Sequence, residues 1–153
     1  YFETNGYCTS WKGKSWVISP QVIQQVYIGY FGEQVFKAIL ENAACNVGSL
    51  PEKIWERADW VVNDKLYVDV KFMSDSDFNQ HVNAQSWERK IRECGGSYIV
   101  VNVPRYAGNY SFTHTIQLES GVSLPIINGL IDVETGAILD KNIQAVLEKL
   151  NIM

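Results

Sequence analysis

Apolar residues recur at intervals of three and four positions through the stretch QVIQQVYIGYFGEQVFKAILENA. This spacing lines one side of an α-helix with apolar side chains, so we predict a long helix over residues 21–44. Ser19 and Pro20 precede it in the order of an N-cap and a first helical residue. Gly48 and Pro51 then interrupt the chain and end the helical pattern.

The next apolar residues alternate with polar ones, which is the period of a β-strand. The segment ERADWVVNDKLYVDVKF contains two such runs, and they flank Asn63, Asp64 and Lys65, a composition typical of a tight turn. We therefore predict a hairpin that turns at about residue 64. In that register Asp59 and Asp69 lie directly opposite each other, with their Cβ atoms about 5 Å apart.

A second helix is predicted over about residues 78–93, because Asp77 followed by Gln80 resembles a capping box. The sequence CGG at 94–96 ends this helix, and SYIVVNV then predicts a strand that is buried on both faces. After a loop over residues 104–109, the segments SFTHTIQL and LPIINGLI are further strand candidates.

The end of the chain, DKNIQAVLEKL, predicts a final helix that is capped by Asp140. Its apolar stripe consists of Ile143, Val146, Leu147 and Leu150. The aromatic residues of 1–18 are expected to form an entry strand or arm. The order of helix, hairpin, helix, strand, mixed β and helix predicts one α/β domain over residues 1–153, with a mixed central sheet flanked by helices.

Composition limits the classes of protein that fit this fold. The chain has 153 residues and a net charge of −4, which argues against coating nucleic acid through bulk charge. A bound metal and a local basic patch can nevertheless supply a nuclease with positive charge. No apolar run approaches the roughly 20 residues of a membrane span, and the three cysteines form no metal-binding pair. The sequence begins with Tyr1 and not with Met, which fits a fragment of a larger protein.

The predicted hairpin carries the main candidate chemistry. Like charges directly opposite on two strands destabilise a hairpin, unless the site is wet, one carboxylate is protonated or a cation bridges them. Asp59 and Asp69 are spaced for a hard ion such as Mg²⁺, and the carbonyl of Val70 could add a neutral ligand. Lys71 shares a strand face with Asp69 and could orient a water or stabilise a phosphate. The alternative is the ordinary polar face of an exposed strand.

Glu33 adds a third carboxylate. At 100° per residue it lies within about 40° of Val22, Val26 and Leu40, on the apolar side of the first predicted helix. An acid on a buried face must be paired or must coordinate a cation. Two glycines, Gly29 and Gly32, precede it and allow close approach of another backbone or a ligand. The alternative is a salt-bridged Glu at the edge of that face.

The series Glu33, Asp59, Asp69-Val70-Lys71 resembles the PD-(D/E)XK nuclease superfamily, which has the restriction-endonuclease-like fold. GYFGEQVF would supply the first helix, ADWVV and YVDVKF the two strands, and NAQSWERKI with SYIVVNV the following helix and strand. The resemblance covers about residues 20–103. Here Ala58 stands where the motif name has Pro, and the middle acid is Asp, both of which the superfamily tolerates.

The resemblance implies phosphodiester hydrolysis that depends on Mg²⁺ or Mn²⁺. Asp59, Asp69, Glu33 and the Val70 carbonyl would hold the metal, and Lys71 would position and help to deprotonate the attacking water. It also implies an auxiliary polar residue on the second helix. On one continuous helix Gln85 would share a face with Arg89, so Gln85 is our candidate for that role.

The charged face of the same predicted helix supplies candidates for nucleic-acid contacts. They are Arg89, Lys90 and Arg92. The alternative is a solvated charged face without a function. The two histidines fit no metal or catalytic motif. Of the two, His81 is the better candidate because it lies on the helix near the expected site.

A nuclease of this type would act on nucleic acid, with DNA expected more than RNA, and the sequence predicts no membrane partner. Two settings fit: the C-terminal effector domain of a bacterial toxin, which would need an immunity protein, or the nuclease part of a restriction, repair or mobile-element protein. The site of action would be the cytoplasm, with secretion or delivery in the toxin setting. The competing function is a non-catalytic module of the same fold that binds nucleic acid or protein.

Overall fold

The computed structural model describes residues 19–106 and 112–151. The arm predicted over residues 1–18 and most of the predicted loop after Pro104 lie outside the described residues. The helices are α1 (Pro20–Asn42), α2 (Asp75–Ala84), α3 (Trp87–Cys94) and α4 (Asp140–Asn151), with a short 3₁₀ turn at Glu52–Ile54. The strands are β1 (Val47–Gly48), β2 (Trp60–Val62), β3 (Leu66–Lys71), β4 (Ser97–Arg105), β5 (Phe112–Gln117) and β6 (Ser123–Asp132).

The six described strands form one mixed sheet in the order β1-β2-β3-β4-β6-β5. The central strands β3, β4 and β6 run parallel, while β1, β2 and β5 pair antiparallel at the two sides. Helices α1 and α4 pack on one face of the sheet through residues such as Phe36 and Val146. Helices α2 and α3 cover the other face through Phe78 and Trp87. The α/β prediction is confirmed, and the arrangement is compatible with a three-layer core.

The hairpin has the predicted turn and register. Trp60 pairs with Val68, and the turn residues Asn63 and Asp64 have φ values of 50° and 57°. Asn and Asp tolerate this left-handed conformation better than most residues. A turn with two left-handed central residues also has a twist that matches its flanking strands. The local sequence therefore fixes the pairing of β2 with β3.

The start of the second helix differs from the prediction. Ser74 is the N-cap, since its hydroxyl accepts a hydrogen bond from the Asp77 amide at 3.3 Å, and α2 begins at Asp75. The predicted cap residue Asp77 instead lies in the first turn, where its carboxylate accepts from the Ser74 hydroxyl at 2.8 Å. Ser and Asp are both favoured N-caps, so the sequence contains two candidate N-cap residues that lie three positions apart.

The predicted helix over residues 78–93 is wrong as one continuous element. It divides into α2 and α3 because Gln85 adopts an extended backbone with φ −83° and ψ 142°. The break lets Trp87 enter the core, where its indole N–H donates to the Val82 carbonyl at 2.9 Å. Gly95 ends α3 in the left-handed conformation, as the CGG sequence predicts.

Helix α1 and strand β4 can also be compared with their predictions. Ser19 caps α1 as predicted, with its hydroxyl accepting from the Val22 amide at 3.3 Å. Strand β4 continues through Pro104, which was expected in a loop, and its register with β6 shifts between Asn102 and Pro104. A shift in register is where a strand tolerates proline. Within the described ranges, no helix is long and apolar enough to cross a membrane.

Candidate active site

The candidate site lies where the regular pairing of β2 with β3 stops. The last regular pair is Trp60 with Val68, so the predicted direct pairing of Asp59 with Asp69 is not part of the ladder. Here the Asp59 amide donates to the Val68 carbonyl at 2.9 Å, and a carboxylate oxygen of Asp59, Oδ2, accepts from the Val70 amide at 2.6 Å. The side chain of Asp59 thus replaces a backbone partner at the end of the strand.

This bond also fixes the direction of the Val70 carbonyl. In a strand the N–H and C=O of one residue point to the same side. Because the Val70 amide points towards Asp59, its carbonyl points to that side as well, beyond the end of β2. The carbonyl therefore opens on the same side as the Asp59 carboxylate, which is compatible with the predicted role of both as ligands.

Asp69 is the most buried member of the site, with 3% of its surface exposed. Its Oδ1 lies 2.5 Å from the Lys71 ammonium, and its Oδ2 lies 3.1 Å from the Lys90 ammonium and 3.4 Å from the Tyr98 hydroxyl. The Lys71 contact is a close ion pair, although Oδ1 has no hydrogen bond of regular geometry. Burial would raise the pKa of Asp69, but the ammonium groups of Lys71 and Lys90 together lower it.

Lys71 is held charged by its neighbours. Burial would lower the pKa of this ammonium, but the carboxylates of Asp69, Asp59 and Glu33 raise it above its usual range. The alternation of β3 places Lys71 and Asp69 on the sheet face that α2 and α3 cover. The prediction that the two side chains share a face is therefore confirmed, and the structure adds that they form an ion pair.

Glu33 and Asp59 form an acidic pair at the end of β2. Burial is the largest cause that raises the pKa of Glu33 to about 7, followed by the Asp59 charge and a hydrogen bond between the two carboxyl groups. Burial also raises the pKa of Asp59 to about 6, and the Asp69 charge adds to the shift. Each group is therefore harder to ionise than an ordinary carboxyl, mainly because it is buried and also because another carboxylate lies beside it.

The approach of α1 to this point depends on a small residue. A Cβ on Gly32 would lie 2.9 Å from the Cβ of Phe72, the residue that follows Lys71. The indole N–H of Trp60 also donates to the Glu33 carbonyl at 3.1 Å. These two contacts position Glu33 beside the hairpin. Gly29, in contrast, has nothing within 4 Å of such a Cβ.

The residue that α3 contributes is Lys90. Gln85 was expected to share a helix face with Arg89, which is wrong because the helix breaks at Gln85, and the side chain of Gln85 is exposed. Arg89 pairs with Glu93 on its own helix at 2.8 Å. Lys90 instead packs its ammonium 4.8 Å from the centre of the Trp87 ring and reaches Asp69.

Arg92 is exposed, and no described contact tests its predicted role with nucleic acid or that of Arg89. Tyr98 was not predicted as a site residue; it is the second residue of β4 and contributes a hydroxyl near Asp69. The hydroxyl also donates to the backbone carbonyl of Arg57. A predicted helix that starts at Trp87 would have indicated Lys90 as the auxiliary residue, because Trp87 and Lys90 are three residues apart and share a face.

The donor types suit a hard divalent cation, since they are carboxylates and a backbone carbonyl. Within residues 19–106 and 112–151, however, no group of three or more His, Cys, Asp or Glu is arranged as a ready metal site. The ion pairs explain this, because both oxygens of Asp69 face ammonium groups. A cation at Asp69 would share its carboxylate with Lys71 and Lys90 or displace one of them, so the residues fit a metal by chemistry but are not preassembled around one.

Comparison with models of protein families and with curated protein sequences gives no match. The order of the elements and the geometry of these residues are therefore what bears on function.

Proposed function

We propose that this domain is a metal-dependent nuclease of the PD-(D/E)XK type, with the restriction-endonuclease-like fold, that hydrolyses phosphodiester bonds. The observation that carries the proposal is the convergence of Asp59, Asp69 and Lys71 at one end of the hairpin, with Glu33 beside them. These residues are separated by up to 38 positions in the sequence. DNA is the preferred substrate in this proposal, and RNA is the alternative.

The order of secondary structure supports this assignment. Helix α1 carries Glu33, the β2–β3 hairpin carries the two aspartates and the lysine, and α3 with β4 follows. Strand β4 returns parallel to β3 after helical segments, as a crossover connection requires. The superfamily to which the sequence is similar has this order of elements, so the proposal depends on both the order and the site.

Charge explains why such a site would bind a cation and then a phosphodiester. Three carboxylates and two ammonium groups give a formal charge of −1 when all are ionised. One divalent cation would change this to +1, which attracts an anionic phosphate. The carboxylates with raised pKa values are the groups that gain most from a bound cation, because it stabilises their ionised form.

In the proposed site Asp59, Asp69, Glu33 and the Val70 carbonyl hold Mg²⁺ or Mn²⁺. When bound, the metal supplies charge stabilisation for the phosphate and the leaving oxygen. The chain itself positions the water through Lys71. Burial lowers the pKa of Lys71, and only its carboxylate neighbours raise it. A loss of their negative charge would move Lys71 towards the neutral amine that a general base requires.

Lys90 has a different part in the proposed site. Its ammonium is held between the Trp87 ring and Asp69, and 22% of the side chain is exposed. A lysine that leaves Asp69 without leaving the site can contact a phosphate oxygen as a point charge. We therefore assign the predicted auxiliary function to Lys90 rather than to Gln85.

The test is cleavage of supercoiled plasmid, single-stranded DNA and transfer RNA with Mg²⁺, Mn²⁺ or EDTA. The variants are Asp69→Asn and Lys71→Met, with Asp64→Asn as the matched control. Asp64 lies in the exposed hairpin turn, so its replacement makes the same chemical change outside the site. The proposal is supported if the parent and the control cleave with metal, if EDTA abolishes this cleavage, and if neither site variant cleaves.

The best-cut substrate then distinguishes DNA from RNA. Cleavage that persists in Asp69→Asn or in EDTA would contradict this mechanism. If the folded parent cuts none of the three substrates with either metal, the nuclease function is refuted and the non-catalytic binding module takes its place. Binding of labelled oligonucleotides by parent and variants would then show whether the acidic cluster contributes to binding.

A further inference from the structure

His81 is a polar group near the site that the proposed mechanism does not use. It lies in the last turn of α2, and its Nε2 is buried without a hydrogen-bond partner among the described residues. A buried polar atom without a partner is rare in native proteins and costs about 1–3 kcal/mol. The orphaned atom therefore indicates a group that the described chain does not supply, such as a water or a ligand.

The surroundings of His81 connect its imidazole ring to the candidate site through Trp87 and Lys90. The imidazole packs edge-on against Trp87, with ring centres 6.0 Å apart. The same indole carries the Lys90 ammonium on its ring, and Lys90 contacts Asp69. His81 and Lys90 therefore both contact the Trp87 indole. The charged groups that act on the imidazole are Lys71, Asp69 and Lys90, from β3 and α3.

The sign of the surrounding charge selects the kind of ligand. Burial and the two ammonium groups lower the pKa of His81, so the imidazole is neutral. A neutral imidazole can carry its proton on Nε2 and donate it to an acceptor. Asp69 acts in the opposite sense, but Lys71 and Lys90 together outweigh it, which favours an anionic acceptor and disfavours a further cation at Nε2. A phosphate oxygen meets both conditions.

We propose that His81 is a substrate-contacting residue whose Nε2–H donates a hydrogen bond to an oxygen of the phosphate that Lys71 and Lys90 attract. This inference rests on the proposed nuclease function for the identity of the ligand. It assigns to α2 a contact that neither the sequence motif nor the metal ligands require. In this role His81 donates a hydrogen bond and transfers no proton.

The test uses two replacements that introduce an amide donor at different distances from the backbone. In His81→Gln the amide nitrogen can reach about as far as Nε2, whereas in His81→Asn it reaches only about as far as Nδ1. His81→Leu removes the donor altogether. We expect kcat/KM for the best-cut substrate to fall about 10- to 100-fold in the Asn and Leu variants, as for a lost hydrogen bond to a charged group. The Gln variant should stay within about threefold of the parent.

A structural role would give a different pattern. If His81 only fills space against Trp87, activity would follow the thermal stability of each variant and not the reach of its amide. Equal kcat/KM in parent, Asn and Gln variants would overturn the proposal. Because the Leu variant could fail to fold, the comparison of Asn with Gln decides the outcome.

A second measurement does not depend on cleavage. The chain has two histidines, and His114 is exposed on β5 and serves as the internal reference for ring resonances in NMR spectra. Titration with inorganic phosphate in Mg²⁺ should shift the His81 ring signals saturably, whereas chloride at the same ionic strength should not. Lys71→Met combined with Lys90→Met should remove the effect.

The two proposals fail in different ways. If the parent cleaves but the Asn and Gln variants are equal to it, the nuclease function stands and the His81 contact is refuted. If the parent cleaves nothing, the nuclease function is refuted, and the phosphate titration alone decides the contact. Ring signals of His81 that move no more with phosphate than with chloride would then refute the anion contact too.

Discussion

Replacing Asp59 by Asn should make the metal-free protein more stable at pH 8 while it removes activity. In the folded state the pKa of Asp59 rises from 3.8 to about 6, because the carboxyl is buried and faces the Asp69 charge. This rise corresponds to a cost of about 3 kcal/mol for keeping Asp59 ionised. Asn avoids that cost, since it has no charge and can still accept the Val70 amide through its side-chain oxygen.

The cost of about 3 kcal/mol already includes the favourable hydrogen bond that the charged form accepts from the Val70 amide. An amide does not reproduce every contact of a protonated carboxyl, so the gain is smaller than this full cost. We therefore expect Asp59→Asn to raise the free energy of unfolding by about 1–2 kcal/mol at pH 8. A folded-state pKa above the unfolded value means that the folded protein holds the proton more tightly. The cost therefore appears as pH rises above 3.8, is complete above about 6, and is absent at lower pH.

The assay is urea denaturation of parent and variant in EDTA at several values between pH 3.5 and pH 8, followed by a repeat at pH 8 with Mg²⁺. The variant should have the higher free energy of unfolding at pH 8, and this difference should disappear as the pH falls towards 4. Mg²⁺ should stabilise the parent, because a ligand that binds only the folded state shifts unfolding by mass action, and should not stabilise Asp59→Asn. Asp64→Asn should show neither effect.

Two results would refute this reasoning. If Asp59→Asn is less stable than the parent at pH 8 in EDTA, the carboxylate is stabilising and the acidic pair is not strained. If the variant is more stable by the same amount at every pH, the gain does not come from ionisation. A parent that Mg²⁺ does not stabilise would separately contradict the metal site while leaving the electrostatic argument intact.

Two further predictions concern positioning. Gly32→Ala should lower the free energy of unfolding by about 1–3 kcal/mol, because its Cβ would lie 2.9 Å from the Cβ of Phe72. The control Gly29→Ala should leave the free energy of unfolding unchanged or raise it by up to about 1 kcal/mol. Equal urea midpoints for the two variants would refute the close approach of α1 to β3. Lys90→Met should reduce kcat/KM at least about 10-fold through the lost phosphate contact, whereas Gln85→Ala should change it less than about twofold; the reverse ranking in a plasmid-cleavage assay would restore the sequence-based assignment.

Much of the site could be predicted because it depends on short-range rules. The alternation of side chains along a strand puts Asp69 and Lys71 on one face whatever surrounds them. The turn at Asn63-Asp64 sets the register that pairs Trp60 with Val68 and brings Asp59 to the same end of the hairpin as Asp69. Both relationships span ten residues or fewer, and backbone geometry alone imposes them.

The choice of Lys90 over Gln85 could not be predicted in this way. A continuous helical pattern and a helix that breaks at Gln85 have nearly the same local preference. The break is favoured because the indole of Trp87 becomes buried and bonds to Val82, which is a gain that only the packed structure provides. The phase of α3, and with it the direction of Lys90, follows from that burial.

The sequence by itself therefore determined the hairpin register and the shared strand face of an acid and a lysine on β3, but not the division of the second predicted helix. Only the tertiary structure decided which side chain of α3 reaches Asp69, 21 residues away, and how strongly the carboxyl groups resist ionisation. The physical reason is that periodicity and turn chemistry act between neighbours in the chain. Desolvation and charge coupling, in contrast, depend on which distant residues the packed fold brings together.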